Sequence, residues 1–169
     1  QYSYKLDVLK NYKEFLKEEY IWKYSSKIYT ILQEIKNSDG IIFIYTNYLK
    51  SGVIPLALAL EQNGYTRYND KPLLNNKNKS LISYEGKLKD KYKDKNDFIQ
   101  GKYIVISGGS LTKNLEEKLR MLTSYENKDG KKIKVVIGSS VAAEGLDFKN
   151  IRNVHILEPW HNLNKLEQV

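Results

Sequence analysis

Apolar positions along this chain follow two rhythms. Four short, mostly apolar runs, Ile41 to Tyr45, Tyr103 to Ser107, Ile133 to Ile137 and Val154 to Leu157, lie close to glycine, asparagine, aspartate, serine or proline. Runs of that length and bounding read as strands buried on both faces. Between them the apolar spacing turns helical. From a cap at Ser25 or Ser26, Ile28, Ile31, Leu32 and Ile35 mark one face at i, i+3, i+4 and i+7. Val53 to Gln62 is an apolar helix with Pro55 in its first turn and Asn63-Gly64 at its end. Leu115, Leu119 and Leu122 give a third amphipathic helix. Strands that alternate with helices predict an α/β fold, a parallel sheet joined by right-handed crossovers with helices on both faces, in three layers.

Two stretches break the rhythm. Residues 1–24 carry Leu6, Leu9, Phe15, Leu16 and Ile21 at roughly helical spacing among charged and aromatic residues, and read as a connecting helical arm rather than core. Residues 65–100 carry Lys77, Lys79, Lys87, Lys89, Lys91, Lys93 and Lys95, with Leu73, Leu74, Leu81 and Ile82 among the few apolar positions. This stretch reads as a solvated insertion with one short strand at Leu81 to Tyr84. Lengthening a surface loop costs only about 0.6 kcal/mol per doubling, so a short replacement should leave stability nearly unchanged. No internal repeat is evident.

The formal charge of +8 suits a nucleic-acid or other anionic partner. Among 28 basic residues, however, only Arg67, Arg120 and Arg152 are arginine, and the chain is rich in Asn, Tyr and Ile. An AT-rich coding sequence would give the same mixture, so both readings of the charge stand. Without cysteine there is no disulfide framework and no Cys-based zinc site. The longest apolar stretch, Val53 to Leu60, falls far short of the roughly 20 residues of a membrane span, and no signal pattern opens the chain. Gln1 is not an initiator residue, and Val169 stands in the first turn of a helix whose cap is Asn164, so a piece of a longer protein is expected.

The chemistry gathers where strands end. Ile133 to Ile137 runs into Gly138, Ser139 and Ser140, then a turn ending Glu144-Gly145-Leu146-Asp147. In open α/β sheets the carboxyl ends of the strands are where ligands bind. Thr46 and Asn47 follow the first strand, Gly108 and Gly109 the second and Ser139 the third, so all belong to one sheet edge. A glycine pair opening a helix offers backbone N–H groups to an anionic oxygen, though it also suits an ordinary strand-to-helix turn. Gly145 permits a sharp turn and Asp147 can accept from a ribose hydroxyl; a plain turn with Asp147 as cap fits the same residues. His155 reads as a packed core imidazole, His161 as a loop residue, and the two make no metal site. Trp160 either stacks a base or plugs the lobe. The phosphate cradle G-x-x-x-x-G-K-[ST] is absent.

These residues resemble a family. Ser139-Ser140 with Gly145 and Asp147 is similar to motif V of superfamily 2 helicases, with serines in place of the usual threonine and acid. The run Ile41 to Asn47 looks like motif IV, and Ile106-Ser107-Gly108-Gly109 followed by Leu115-Glu116-Glu117 looks like motif IVa. Gln168 stands at the opening glutamine of motif VI, one residue before the chain stops. Over roughly residues 26–169 the chain resembles the C-terminal RecA-like lobe of these enzymes, and Leu157 to Val169 looks closest to ATPases of large DNA viruses, including poxvirus-type transcription ATPases.

The resemblance implies a second motor lobe of an ATP-dependent helicase or translocase. It puts Gly145, Asp147 and Gln168 on the ATP side, and Thr46, Asn47, Gly108, Gly109 and Ser139 on the phosphates of a single strand. ATP and Mg²⁺ would be held mainly by an N-terminal RecA-like lobe of the same protein. No catalytic residue is expected here, because the arginine fingers of motif VI would follow Val169, and the chain alone should be inactive. The location implied is intracellular, in the cytoplasm or, if viral, the virion, with no membrane partner. The rival is a non-enzymatic α/β module that binds nucleic acid or protein without ATP.

Overall fold

A computed structural model describes residues 1–75, 80–107, 114–139 and 148–158. Five parallel strands form one sheet in the order β2-β3-β4-β1-β5, where β1 is Ile41–Tyr45, β2 Thr66–Arg67, β3 Lys102–Ile106, β4 Val135–Gly138 and β5 Ile151–Ile156. The three central strands carry the apolar runs seen in the sequence, and every residue of β1 and β4 is buried. One face of the sheet, with Ile42, Ile44, Val105, Val135 and Ile137, packs on α3 (Ser26–Asn37) and α4 (Ile54–Gln62). The other, with Phe43, Tyr45, Ile104, Ile106 and Val136, packs on α5 (Leu115–Thr123) and Phe148. This is the three-layer RecA-like α/β arrangement expected.

Local chemistry sets the element ends. The Ser25 hydroxyl accepts from the Ile28 N–H at 3.2 Å, capping α3 and choosing the first of the two serines. Pro55 lies in the first turn of α4, where its missing N–H costs nothing. At Ile133 the ladder starts late, because the Asn127 side chain accepts the N–H groups of Lys132 and Ile133 at 2.9 and 2.8 Å.

Three expectations need correction. The last strand is not buried on both faces: β5 is an edge strand paired only with β1, its burial alternates, and Val154 and Ile156 remain exposed. Residues 4–24, which hold the short helices α1 (Leu6–Tyr12) and α2 (Glu18–Ile21), reach the core through Leu16 and Ile21. Asn63 at the end of α4 holds that arm, accepting from the Glu18 N–H and donating to the Leu16 carbonyl, each at 2.9 Å.

Nor is 65–100 a solvated insertion throughout. Tyr65, Tyr68, Leu74, Ile82 and Ser83 are buried, and β2 pairs with β3. Glu61, wholly buried on α4, accepts from the backbone N–H of Leu73 at 3.0 Å and Leu74 at 2.7 Å, and from the Tyr103 hydroxyl at 2.8 Å. Asp70 receives the buried Lys118 ammonium of α5 at 2.5 Å and Arg67 at 3.1 Å. In place of a strand at Leu81 to Tyr84 there are isolated bridges, Ile82 with Leu88 and Ser83 with Gln100. The lysine count hid all this, because four or five apolar side chains suffice to anchor a loop whose remaining residues are solvated.

Candidate nucleic-acid interface

Parallel strands bring their carboxyl ends to one edge, and the hydrogen-bond ladder fixes who neighbours whom there. The Ser139 N–H donates to the Ile106 carbonyl at 3.0 Å, the Thr46 N–H to the Gly138 carbonyl at 3.0 Å, and the Leu157 N–H to the Tyr45 carbonyl at 2.9 Å. Along the edge therefore run Ser107, Ser139, Thr46 with Asn47, and Glu158, in the order of β3, β4, β1 and β5. The structure brings together the residues expected after the first and third strands. Gly108, Gly109, Gly145, Asp147 and Gln168 lie outside the described residues, as do Ser140, Trp160 and His161.

The three described members of the expected strand grip differ in what they offer. Thr46 is fully buried, and its hydroxyl is committed: it donates to the Glu158 Oε1 at 3.1 Å and accepts from the Tyr48 N–H at 3.4 Å. Gly52 makes that burial possible. A Cβ at position 52 would lie 1.8 Å from the Thr46 Oγ1, so only glycine lets the turn Leu49–Val53 fold back over this side chain. Thr46 thus shapes the loop after β1 rather than presenting a hydroxyl to solvent.

Asn47 is half-buried, and its side-chain oxygen accepts the Tyr45 hydroxyl at 2.8 Å. With the oxygen so engaged, the NH₂ is the donor end of the amide. The Asn47 backbone N–H donates to the Glu158 Oε2 at 3.1 Å. Ser139 is 8% exposed, and its hydroxyl bonds to none of the described residues. Neutral hydroxyl and amide donors at adjacent strand ends suit phosphate oxygens, which carry no sequence information.

Glu158 was not anticipated from the sequence. It stands immediately after Leu157, whose carbonyl takes the Lys27 ammonium at 3.1 Å. Both of its carboxyl oxygens are engaged by the loop that follows β1, across a separation of more than 100 positions. The only hint in the chain is a charged residue directly after an apolar strand; the β1–β5 pairing is what gives it a partner. His155, expected in the core, is only half-buried on edge strand β5, with its Nε2 sealed from solvent and, among the described residues, without a hydrogen-bond partner. Among the described residues no group of three His, Cys, Asp or Glu could hold a metal ion. No described helix is long and apolar enough to cross a membrane.

Comparison with known proteins covers most of the chain. A family model for the helicase conserved C-terminal domain matches residues 23–169. The chain is 33% identical over 171 residues to a putative ATP-dependent RNA helicase, L377, of Acanthamoeba polyphaga mimivirus, covering 89% of this chain and 15% of that protein. It is 32% identical over 163 residues to a termination factor NPH-I homolog of African swine fever virus, covering 90% and 23%. A killer plasmid pGKL-2 helicase of Kluyveromyces lactis is 28% identical over 144 residues, covering 85% and 20%. In each case the chain spans less than a quarter of the relative's length.

Proposed function

This chain belongs to the helicase conserved C-terminal domain family, and on that premise we propose that it serves as the second motor lobe of an ATP-dependent nucleic-acid helicase or translocase. Its carboxyl edge would hold phosphates of a single strand through the Asn47 amide and the Ser139 hydroxyl, with the backbone of Gly108 and Gly109 continuing the track. The observation that carries this reading is the adjacency of β4 and β1, which puts Ser139 and Asn47 side by side at the ligand-binding edge of a parallel sheet. Thr46 supports the grip by shaping its loop.

ATP and Mg²⁺ belong, in this proposal, mainly to an N-terminal RecA-like lobe of the same protein. Gly145, Asp147 and Gln168 of this chain would face the nucleotide from the opposite side. Asn47 and Ser139 are neutral donors, which suits them to the strand rather than to a metal ion. ATP, when bound, supplies the free energy that opens and closes the two lobes. The protein acts within the cell or virion.

Asp147→Ala in the full-length protein should impair ATP turnover far more than it impairs strand binding without nucleotide. Asn47→Ala and Ser139→Ala should weaken strand binding by similar factors on unrelated sequences, with a salt slope near −0.7 per phosphate neutralised. Unchanged stimulated ATPase in Asp147→Ala would remove the ATP-side assignment. Unchanged strand affinity in both edge variants would remove the strand-binding one. The 169-residue chain alone should turn over no ATP.

A further inference from the structure

We propose that the Glu158 carboxylate is a built-in counter-anion: it occupies the donor pair at the end of β1 and competes with the incoming strand for the same edge. The proposal rests on the strand-binding reading of that edge. Its own basis is the geometry of the contact. A hydroxyl and a backbone N–H, one on each oxygen of a carboxylate at 3.1 Å, is also how two oxygens of a phosphate are received. The donors come from consecutive residues, Thr46 and Asn47, and Gly52 holds the first of them in place. What fills this receptor is a side chain delivered from the far side of the β1–β5 pairing.

Charge makes the contact more than a loop fastening. Among the described residues no lysine or arginine forms an ion pair with Glu158, and the nearby Lys27 ammonium goes to the Leu157 carbonyl instead. Glu158 is also partly exposed, unlike Glu61. Among the described residues, then, an anion without a cation partner sits on the Asn47 backbone N–H, on the other side of the β1 end from Ser139. A strand phosphate arriving there meets either direct repulsion or the need to turn Glu158 away.

The test compares Glu158→Gln with the parent in the full-length protein. Binding of a fluorescent homopolymeric single strand is followed by anisotropy at several salt concentrations. Glutamine keeps the shape and can still accept one of the two donors, but the charge is gone. E158Q should bind the strand about three- to tenfold more tightly at low salt, and the gain should shrink as screening rises. Equal or weaker binding by E158Q would overturn the proposal. Asn47→Ala and Ser139→Ala, run alongside, separate the two failures. If N47A weakens binding and E158Q does not tighten it, the strand grip stands and the counter-anion falls; if N47A and S139A are both silent as well, the edge reading itself falls.

Should E158Q fail to fold, hydrogen–deuterium exchange of the unmodified protein reads the same contest. Saturating strand should speed exchange in the peptide that spans Leu157 and Glu158, while the peptide holding Asn47 becomes better protected. Slower exchange in both would mean that Glu158 stays in place and the proposal is wrong.

Discussion

Glu61 and Glu158 do the same chemical task in two different parts of the molecule. Each offers both carboxyl oxygens to a loop. Glu61 sits on α4 under the segment 65–75, wholly buried, with three donors: two backbone N–H groups and the Tyr103 hydroxyl. Glu158 sits at the carboxyl edge of the sheet, partly exposed, with two donors. A buried carboxyl with three donors has no competitor, because water and ligands cannot reach it, so its bonds act as structure. One at an open edge with two donors shares its site with whatever anion arrives. Location and donor count, not residue type, separate a staple from a contestable contact.

The comparison can be broken most forcefully on the Glu61 side. Replacing residues 65–100 by a short Gly/Ser linker should abolish cooperative unfolding, since it removes β2 and the buried Tyr65, Tyr68, Leu74 and Ile82. A variant that melts like the parent would return this stretch to a solvated insertion. Glu61→Ala leaves two buried donors, the Leu74 N–H and the Tyr103 hydroxyl, and the half-buried Leu73 N–H without an acceptor, at about 1–3 kcal/mol for each buried one, and should lower stability by about 3–5 kcal/mol in urea unfolding.

Alkali probes the same region. Burial, helped by the nearby Glu61, pushes the Tyr103 hydroxyl well above the ordinary range; burial does the same to Tyr65, and pushes Tyr4 up to about 12. In the unfolded chain these groups ionise near pH 10. A folded value above the unfolded one means stability that is fully present below about pH 10 and lost as pH rises past it. Tyr65 and Tyr103 should each cost about 1.4 kcal/mol one pH unit above that point, as read from urea midpoints at about pH 8 and about pH 11. Lys134 acts oppositely, because burial lowers its folded value, but it is one group against three. An unchanged midpoint would mean that these tyrosines are reached by solvent.

On the edge side the effects should be smaller. Gly52→Ala drives a Cβ against Thr46, which is sealed in place, and should cost about 1–3 kcal/mol while loosening the loop after β1. Glu158→Ala should cost only about 1 kcal/mol, because water can take over at the Asn47 N–H. If Glu158→Ala destabilised the fold as much as Glu61→Ala, the distinction between staple and contestable contact would collapse.

Much of the fold was legible because strands and helices here obey local rules. The β1 run appears in the structure with its boundaries unchanged, and β3 shifts by one residue. The Ser25 cap, Pro55 and the stripe from Ile28 to Ile35 each act within a single turn. What escaped was small or distant. Thr66–Arg67 has no apolar run to mark it as a strand and exists because Tyr103 and its neighbours offer a free edge. The burial of 65–100 depends on Glu61 and Lys118, which lie in other elements. At the edge, the strand ends were readable from the pattern alone, but Thr46 looked like a free hydroxyl. Nothing near it in the chain announces Gly52 as its lid or Glu158 as its partner.

By itself, then, the amino-acid sequence determined the periodicities, the caps and the strand ends, and with them which residues share the carboxyl edge of the sheet. These are set by side chains acting on their own backbone within a few residues, or by burial on both faces of a strand. Only the tertiary structure decided which polar groups at that edge are free. That depends on β1 lying between β4 and β5, which carries a carboxylate more than 100 positions away to the Thr46 hydroxyl and the Asn47 N–H. Hydrogen bonds reach only about 3 Å, so their partners follow from the packing of the strands and not from the order of the chain.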